Sequence, residues 1–249
     1  MRLTLLPVLV AICAGGGVEA VNPEGGEPDV RAIVVEAVER MDEALQAVAG
    51  DYRALVTSES REFDGRGEVE EETRVEWESI PIDGARFSRR LAIDGRPLTE
   101  EERTRETERE AAFRERLRRL RAGEIEPEEN ENQIIFDEDL VARYDLTLEG
   151  EEPFRNRPSY RIAFAPRDGD LPVRRQIERA LNKARGRIWV DRETHEIARL
   201  EFELVDRVRL WWGLVGNIHR FRGSLDRGPV LDGMWANLQN ESYSDVRVF

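Results

Sequence analysis

From residue 30 to residue 48, apolar side chains return every three or four positions, at Val30, Ile33, Val34, Ala37, Met41, Leu45 and Val48. That spacing lines one face of an α-helix, with Asp29 placed to cap its start and Gly50 to end it. The period then changes. In residues 69 to 79 the odd positions are Val69, Glu71, Thr73, Val75 and Trp77, and the even ones Glu70, Glu72, Arg74, Glu76 and Glu78. One face is therefore strictly polar, as in a strand of an antiparallel sheet wetted on one side. Residues 51 to 62 and 85 to 94 behave similarly, and Asp64-Gly65, Asp83-Gly84 and Asp94-Gly95 supply turns between them.

Residues 99 to 121 leave the strand pattern. Thr99 with Glu102 makes a capping box, and pairs such as Glu110 with Arg114 and Glu115 with Arg119 stand at helical spacing. Its first half has hardly any apolar face, while Ala112, Phe113, Leu117 and Leu120 give one to the second, so the helix is expected to dock by one end. Residues 123 to 143 read as an acidic loop followed by a short helix. Strands are expected again at 144 to 149 and 158 to 165. Val173, Ile177, Ala180, Leu181 and Ala184 predict an amphipathic helix between Pro172 and Ala184. Residues 186 to 191, 195 to 206, 207 to 212, 217 to 223, 230 to 235 and 236 to 248 are further strands, and no repeat of fixed period runs through them.

About nine to eleven antiparallel strands with one apolar face curl readily. The expected fold class is α+β: a strongly curved antiparallel sheet, an incomplete β-barrel, with helices covering the concave face. A covered apolar concavity is also a place to hold a lipid.

Residues 1 to 20 read as a secretory signal, with Arg2, an apolar run from Leu3 to Ala14 and Val18-Glu19-Ala20 as the cleavage site. Residues 21 to 28 are a Pro/Gly/Glu segment, and residues 29 to 249 a single domain carrying the charged helix as an insertion at about 99 to 121. The signal's apolar run is too short to span a bilayer, and no later run is longer. The expected location is therefore the periplasm. Cys13, the only cysteine, falls inside the signal after Ile12, which argues against acylation there. Without it, disulfides and thiolate chemistry are excluded. A net charge of −14 argues against nucleic-acid partners.

Several stretches together resemble the LolA/LolB-like periplasmic lipoprotein carriers and the wider group of outer-membrane lipoprotein-sorting proteins. They are the first helix leading into Tyr52-Arg53-Ala54-Leu55-Val56, the strand Leu91-Ala92-Ile93-Asp94-Gly95-Arg96-Pro97-Leu98, and Gly186-Arg187-Ile188-Trp189-Val190-Asp191-Arg192-Glu193-Thr194 returning through Ile197-Ala198-Arg199-Leu200-Glu201. The resemblance implies an unclosed barrel with helical lids that binds acyl chains, and partners that are a lipid or an acylated lipoprotein. The charged helix at 99 to 121 and the ending Tyr243-Ser244-Asp245-Val246-Arg247-Val248-Phe249 depart from the carriers and leave the cargo open.

Trp77, Phe87, Leu91, Ile93, Phe164, Leu200, Phe202 and Leu204 are the expected cavity walls. Arg89 shares its strand face with Phe87 and Leu91; a charge there must be paired, as a latch between sheet and lid, unless a bulge turns it to solvent. Adjacent Trp211 and Trp212 point to opposite faces of a strand, so either one stands at a mouth or membrane contact, or the strand is covered on both sides. His195 and His219 have no second ligand at metal spacing, and the glutamate runs read as a solvated face, so no catalytic residue, metal or cofactor is expected. A lipid or lipoprotein carrier is the first reading, an envelope sensor or protein-interaction module on the same fold the second, and a cell-envelope hydrolase the third.

Overall fold

The computed structural model describes residues 28–47, 52–64, 66–127, 134–210, 216–231 and 234–248. The chain begins with helix α1 (Val30–Ala47), whose first turn is closed by the Asp29 carboxylate accepting from the Ala32 amide. Strands β1 (Ala54–Phe63), β2 (Val69–Ile82), β3 (Ala85–Ile93) and β4 (Arg96–Pro97) form an antiparallel sheet in chain order. Two of its hairpins are tight because Asp83-Gly84 and Asp94-Gly95 each place both residues at positive φ, the geometry of a type I′ turn. Helix α2 (Glu100–Arg121) follows, opened by the capping box expected between Thr99 and Glu102.

After the short helix α3 (Glu138–Val141) come β5 (Tyr144–Glu151), β6 (Ser159–Pro166), the one-turn α4 (Glu178–Leu181), β7 (Ala184–Asp191), β8 (Ile197–Leu204), β9 (Val208–Leu210), β10 (Gly216–Leu231) and β11 (Met234–Val248). They build a second sheet in the order β11-β10-β8-β7-β6-β5, with β9 beside β10. The fold is thus α+β, with antiparallel strands shared between two sheets, neither closed into a barrel. Helix α1 lies on the second sheet and α2 on the first.

The larger core lies between α1 and the second sheet. Ala37 of the helix meets Ile162 and Val190 of the sheet, each with no exposed surface. A smaller one joins Ile80, Ile82 and Phe87 to Phe113 and Leu117, the apolar second half of α2, and a third gathers Trp189, Ala198 and Trp235 with Phe154.

Two elements differ from their expected form. The helix expected from Pro172 to Ala184 is only the turn Glu178–Leu181. The buried Glu178 carboxylate accepts from the Arg174 and Arg175 amides, and Asn182 and Arg143 take the Pro172 carbonyl, so the backbone before the turn is already committed. The strand expected at 217 to 223 extends as β10 through Gly228 and Pro229 to Leu231, and the one expected at 230 to 235 is divided between the end of β10 and the start of β11. At Pro229 only β11 is paired with β10, because β8 stops opposite Asp226, so a missing amide is tolerated. The expected signal, Cys13, residues 21 to 27 and Trp211 and Trp212 lie outside the described residues.

Candidate binding site

The second sheet has two unlike faces. On the α1 side stand Tyr160, Ile162 and Phe164 of β6, Ala184, Ile188 and Val190 of β7, Leu200, Phe202 and Leu204 of β8 and Leu225 of β10. No charged side chain interrupts these positions, because alternation sends every arginine and glutamate of β7 and β8 the other way. Phe164 lies over Gly186 and Phe202 over Gly223, where a Cβ would stand 2.9 Å and 2.7 Å from the ring. Glycine leaves room for these ring edges, and at Gly186 also for the Glu201 carbonyl, which a Cβ would meet first. Phe164 is buried, but Leu200, Phe202 and Leu204 remain half-buried with α1 in place.

Helix α1 is fastened to this sheet by more than its apolar stripe. His195, at positive φ in the turn between β7 and β8, has its Nδ1 2.6 Å from the Glu36 carboxylate. That bond, with help from Arg40, holds the Glu36 carboxyl below its ordinary 4.5. The pairing was not foreseen, since nothing in a histidine's position in a turn identifies a partner 159 residues away.

At the other end of the same core, Arg143 is buried between the Glu178 carboxylate at 3.3 Å, the Pro172 carbonyl and the Asn182 side chain. The adjacent Tyr144 hydroxyl donates to the Leu181 carbonyl, and burial pushes its pKa above 10.

Part of the opposite face is polar and lines an open trough of about 800 Å³, while Trp189, which alternation also sends to that side, is buried with Ala198 and Trp235. Across the trough run two cross-strand rows, Ala165-Arg185-Glu203-Arg222-Tyr243 and Ala163-Arg187-Glu201-Ser224-Glu241. Arg185 pairs with Glu203 at 2.7 Å, Arg187 with Glu149 at 2.8 Å, and Arg199 bridges Glu201 and Asp226. The trough is a solvated face held by cross-strand ion pairs.

The structure divides the eight expected wall residues between the two sheets. Phe164, Leu200, Phe202 and Leu204 share the face under α1. Phe87 belongs to the small core under α2. Trp77 and Ile93 are half-buried on β2 and β3, with the Arg90 guanidinium 5.3 Å from the Trp77 ring. Leu91 is exposed, because the register shift at Glu76/Trp77 passes over it. Arg89 lies 2.7 Å from Glu110 of α2 and 3.6 Å from Glu78 of β2, so the charge on this strand face is paired with the helix. Among the described residues, no three His, Cys, Asp or Glu side chains gather as a metal site. No helix among them is long and apolar enough to cross a membrane.

The site is therefore an apolar sheet face under a helix, in an α+β protein of antiparallel, unclosed sheets. Among solved structures the chain is similar to an outer membrane lipoprotein-sorting protein domain from Vibrio parahaemolyticus, at 11% identity and a TM-score of 0.29 over 86% of this chain and 93% of that one. It is also similar to a DUF1329 family protein from Desulfovibrio piger, at 13% identity and a TM-score of 0.26 over 89% and 94% of the two chains. A third is MucB in its complex with MucA from Pseudomonas aeruginosa, at 12% identity and a TM-score of 0.25 over 85% and 94%. Lipoprotein-sorting proteins, the group the sequence resembles, are thus among the similar structures. No protein-family model and no curated protein matches the chain.

Proposed function

We propose that the protein is a periplasmic binding or carrier protein that takes the acyl chains of a lipid or lipid-modified protein onto the apolar face of the second sheet, with α1 as a movable roof. One observation carries this reading: α1 does not close the apolar face. Although the helix reaches strands at both edges of the sheet, β5 and β11, Leu200, Phe202, Leu204 and Leu225 stay half-buried with it in place. Each acyl methylene moved onto such a surface contributes about 0.8 kcal/mol, so burial alone supplies affinity and no reactive group is needed. On this reading the protein is not an enzyme.

The experiment is titration of the purified, delipidated chain with a dansyl-labelled fatty acid. The expected result is blue-shifted, enhanced dansyl emission that oleate reverses and that Phe202→Glu weakens while circular dichroism stays unchanged. Emission that never departs from that of the free probe in buffer defeats the proposal.

A further inference from the structure

The two edges of the first sheet are treated in opposite ways. Along β3 the open edge is covered by α2: Glu106 accepts from the Arg90 amide at 3.1 Å, and Arg109 donates to the Ser88 carbonyl. Arg121, at the far end of the helix, donates to the carbonyl of Asp83 in the adjoining turn. Side chains of the helix thus take the place of a neighbouring strand. Among the described residues, nothing comparable lies along β1. Its ten residues pair with β2 on one side only, and every residue after Ala54 is exposed, Leu55 to 79%. It has no proline or lysine; what blunts it are the charges of Glu59, Arg61 and Glu62 and a register shift at Glu62/Phe63.

The charges on β1 are arranged to match themselves. On the face that carries α2, Glu59 is opposite Arg74 of β2 at 3.5 Å, and Arg61 is opposite Glu72 at 2.9 Å. These two cross-strand pairs are of opposite sign and end at β1, while on the other face Glu62 stands opposite Glu71. We propose that β1 is a dimerisation strand, pairing antiparallel with β1 of a second copy about a two-fold axis through Ser60. In that register Glu59 faces the second copy's Arg61, and Arg61 its Glu59. The rows then run Arg74-Glu59-Arg61-Glu72 across four strands, twice, with signs alternating throughout. A shift of one residue in the axis, to Glu59, sets glutamate against glutamate, and opposed like charges destabilise a strand pair. β11, one of the two edges of the second sheet, offers no such match: its exposed run from Asn237 to Ser244 carries a single charge, Glu241. Pairing through β1 joins two four-stranded sheets into one of eight, and leaves the apolar face under α1 untouched.

Sedimentation equilibrium over a concentration series, with two cysteine variants made in a Cys13→Ser background, tests this. The chain is expected to dimerise reversibly. Ser60→Lys, at an exposed position, sets two like charges on the axis and is expected to weaken the dimer about tenfold. Ser60→Cys brings the two sulfurs opposite each other and is expected to cross-link on mild oxidation. Thr57→Cys is not, since two residues six positions apart along paired strands are separated by about 20 Å, beyond the roughly 7 Å that a disulfide spans between Cα atoms. A chain that sediments as a monomer at every concentration overturns the proposal. So does a dimer indifferent to Ser60→Lys, or one in which Thr57→Cys cross-links as readily as Ser60→Cys.

Discussion

The Nδ1 of His195 lies 2.6 Å from the Glu36 carboxylate, so the turn between β7 and β8 is bonded directly to helix α1. Because Glu36 is held below its ordinary 4.5, first by His195 and then by Arg40, the folded chain binds fewer protons there than the unfolded chain. Its contribution is therefore complete above pH 4.5 and is lost as the pH falls through the lower folded value. Both side chains are about a third or more exposed, so the bond is worth no more than about 1 kcal/mol. Glu36→Gln is expected to lower the thermal midpoint slightly at pH 7. It is also expected to hasten proteolysis of α1 and, if α1 is the roof, uptake of the dansyl fatty acid. Equal proteolysis rates in the two chains dispose of the bond as a fastening of α1.

Helix α2 should be the part of the molecule most sensitive to acid. Its contacts with the first sheet run largely through carboxylates, and three of them titrate low. Glu102 is held at about 2, first by Arg96 and then by the Thr99 amide; Glu110 is lowered by Arg114 and Arg89. Burial pushes Glu106 up, but Arg109 and the Arg90 amide outweigh it, so it too lies below 4.5. All three are protonated at lower pH in the folded chain than in the unfolded one, so their stabilisation is present above pH 4.5 and lost progressively toward pH 2. Hydrogen exchange measured from pH 5 to pH 2.5 is expected to show α2 and the Arg90 amide losing protection before the core around Ile162. Simultaneous loss in both regions contradicts this order.

The periodic signals were the legible ones. Apolar residues three and four apart located α1, strict alternation located β2, and Thr99 with Glu102 marked the start of α2. Asp83-Gly84 and Asp94-Gly95 carried their own turn geometry. What could not be read depends on pairing across long stretches of chain. Nothing local in Phe87 and Phe202 reveals that they belong to different sheets, or that Leu91 is passed over at a register shift. The short turn at Glu178–Leu181 replaced a helix for the same reason: the apolar spacing was real, but Arg143, about 30 residues earlier, holds the segment through the Pro172 carbonyl.

Arg89 presents a narrower question, because its guanidinium reaches Glu110 of α2 at 2.7 Å and Glu78 of β2 at 3.6 Å from a half-exposed position. A pair this open contributes about 1 kcal/mol or less. Replacing Arg89 by Leu is accordingly expected to change overall stability little, while raising hydrogen exchange in the second half of α2. If exchange along α2 matches the parent chain, Arg89 does not hold the helix to the sheet.

Arg143 and Glu178 form the pair on which stability should depend most. Both are buried, 3.3 Å apart, and each has further partners: the Pro172 carbonyl and Asn182 side chain for the arginine, the Arg174 and Arg175 amides for the glutamate. Burial favours the neutral acid at Glu178, yet those amides and Arg143 outweigh it and keep the carboxyl below 4.5. Removing one charge strands the other in the interior, so Arg143→Met is expected to cost about 3–5 kcal/mol in urea unfolding at pH 7. The companion change Glu178→Leu should return a large part of that loss, because two apolar side chains leave no unpaired ion. The backbone amides that lose their acceptor limit the recovery to less than the whole. A double variant as unstable as the sum of the two single ones means that the charges do not depend on each other, and that Glu178 matters only for the turn it closes.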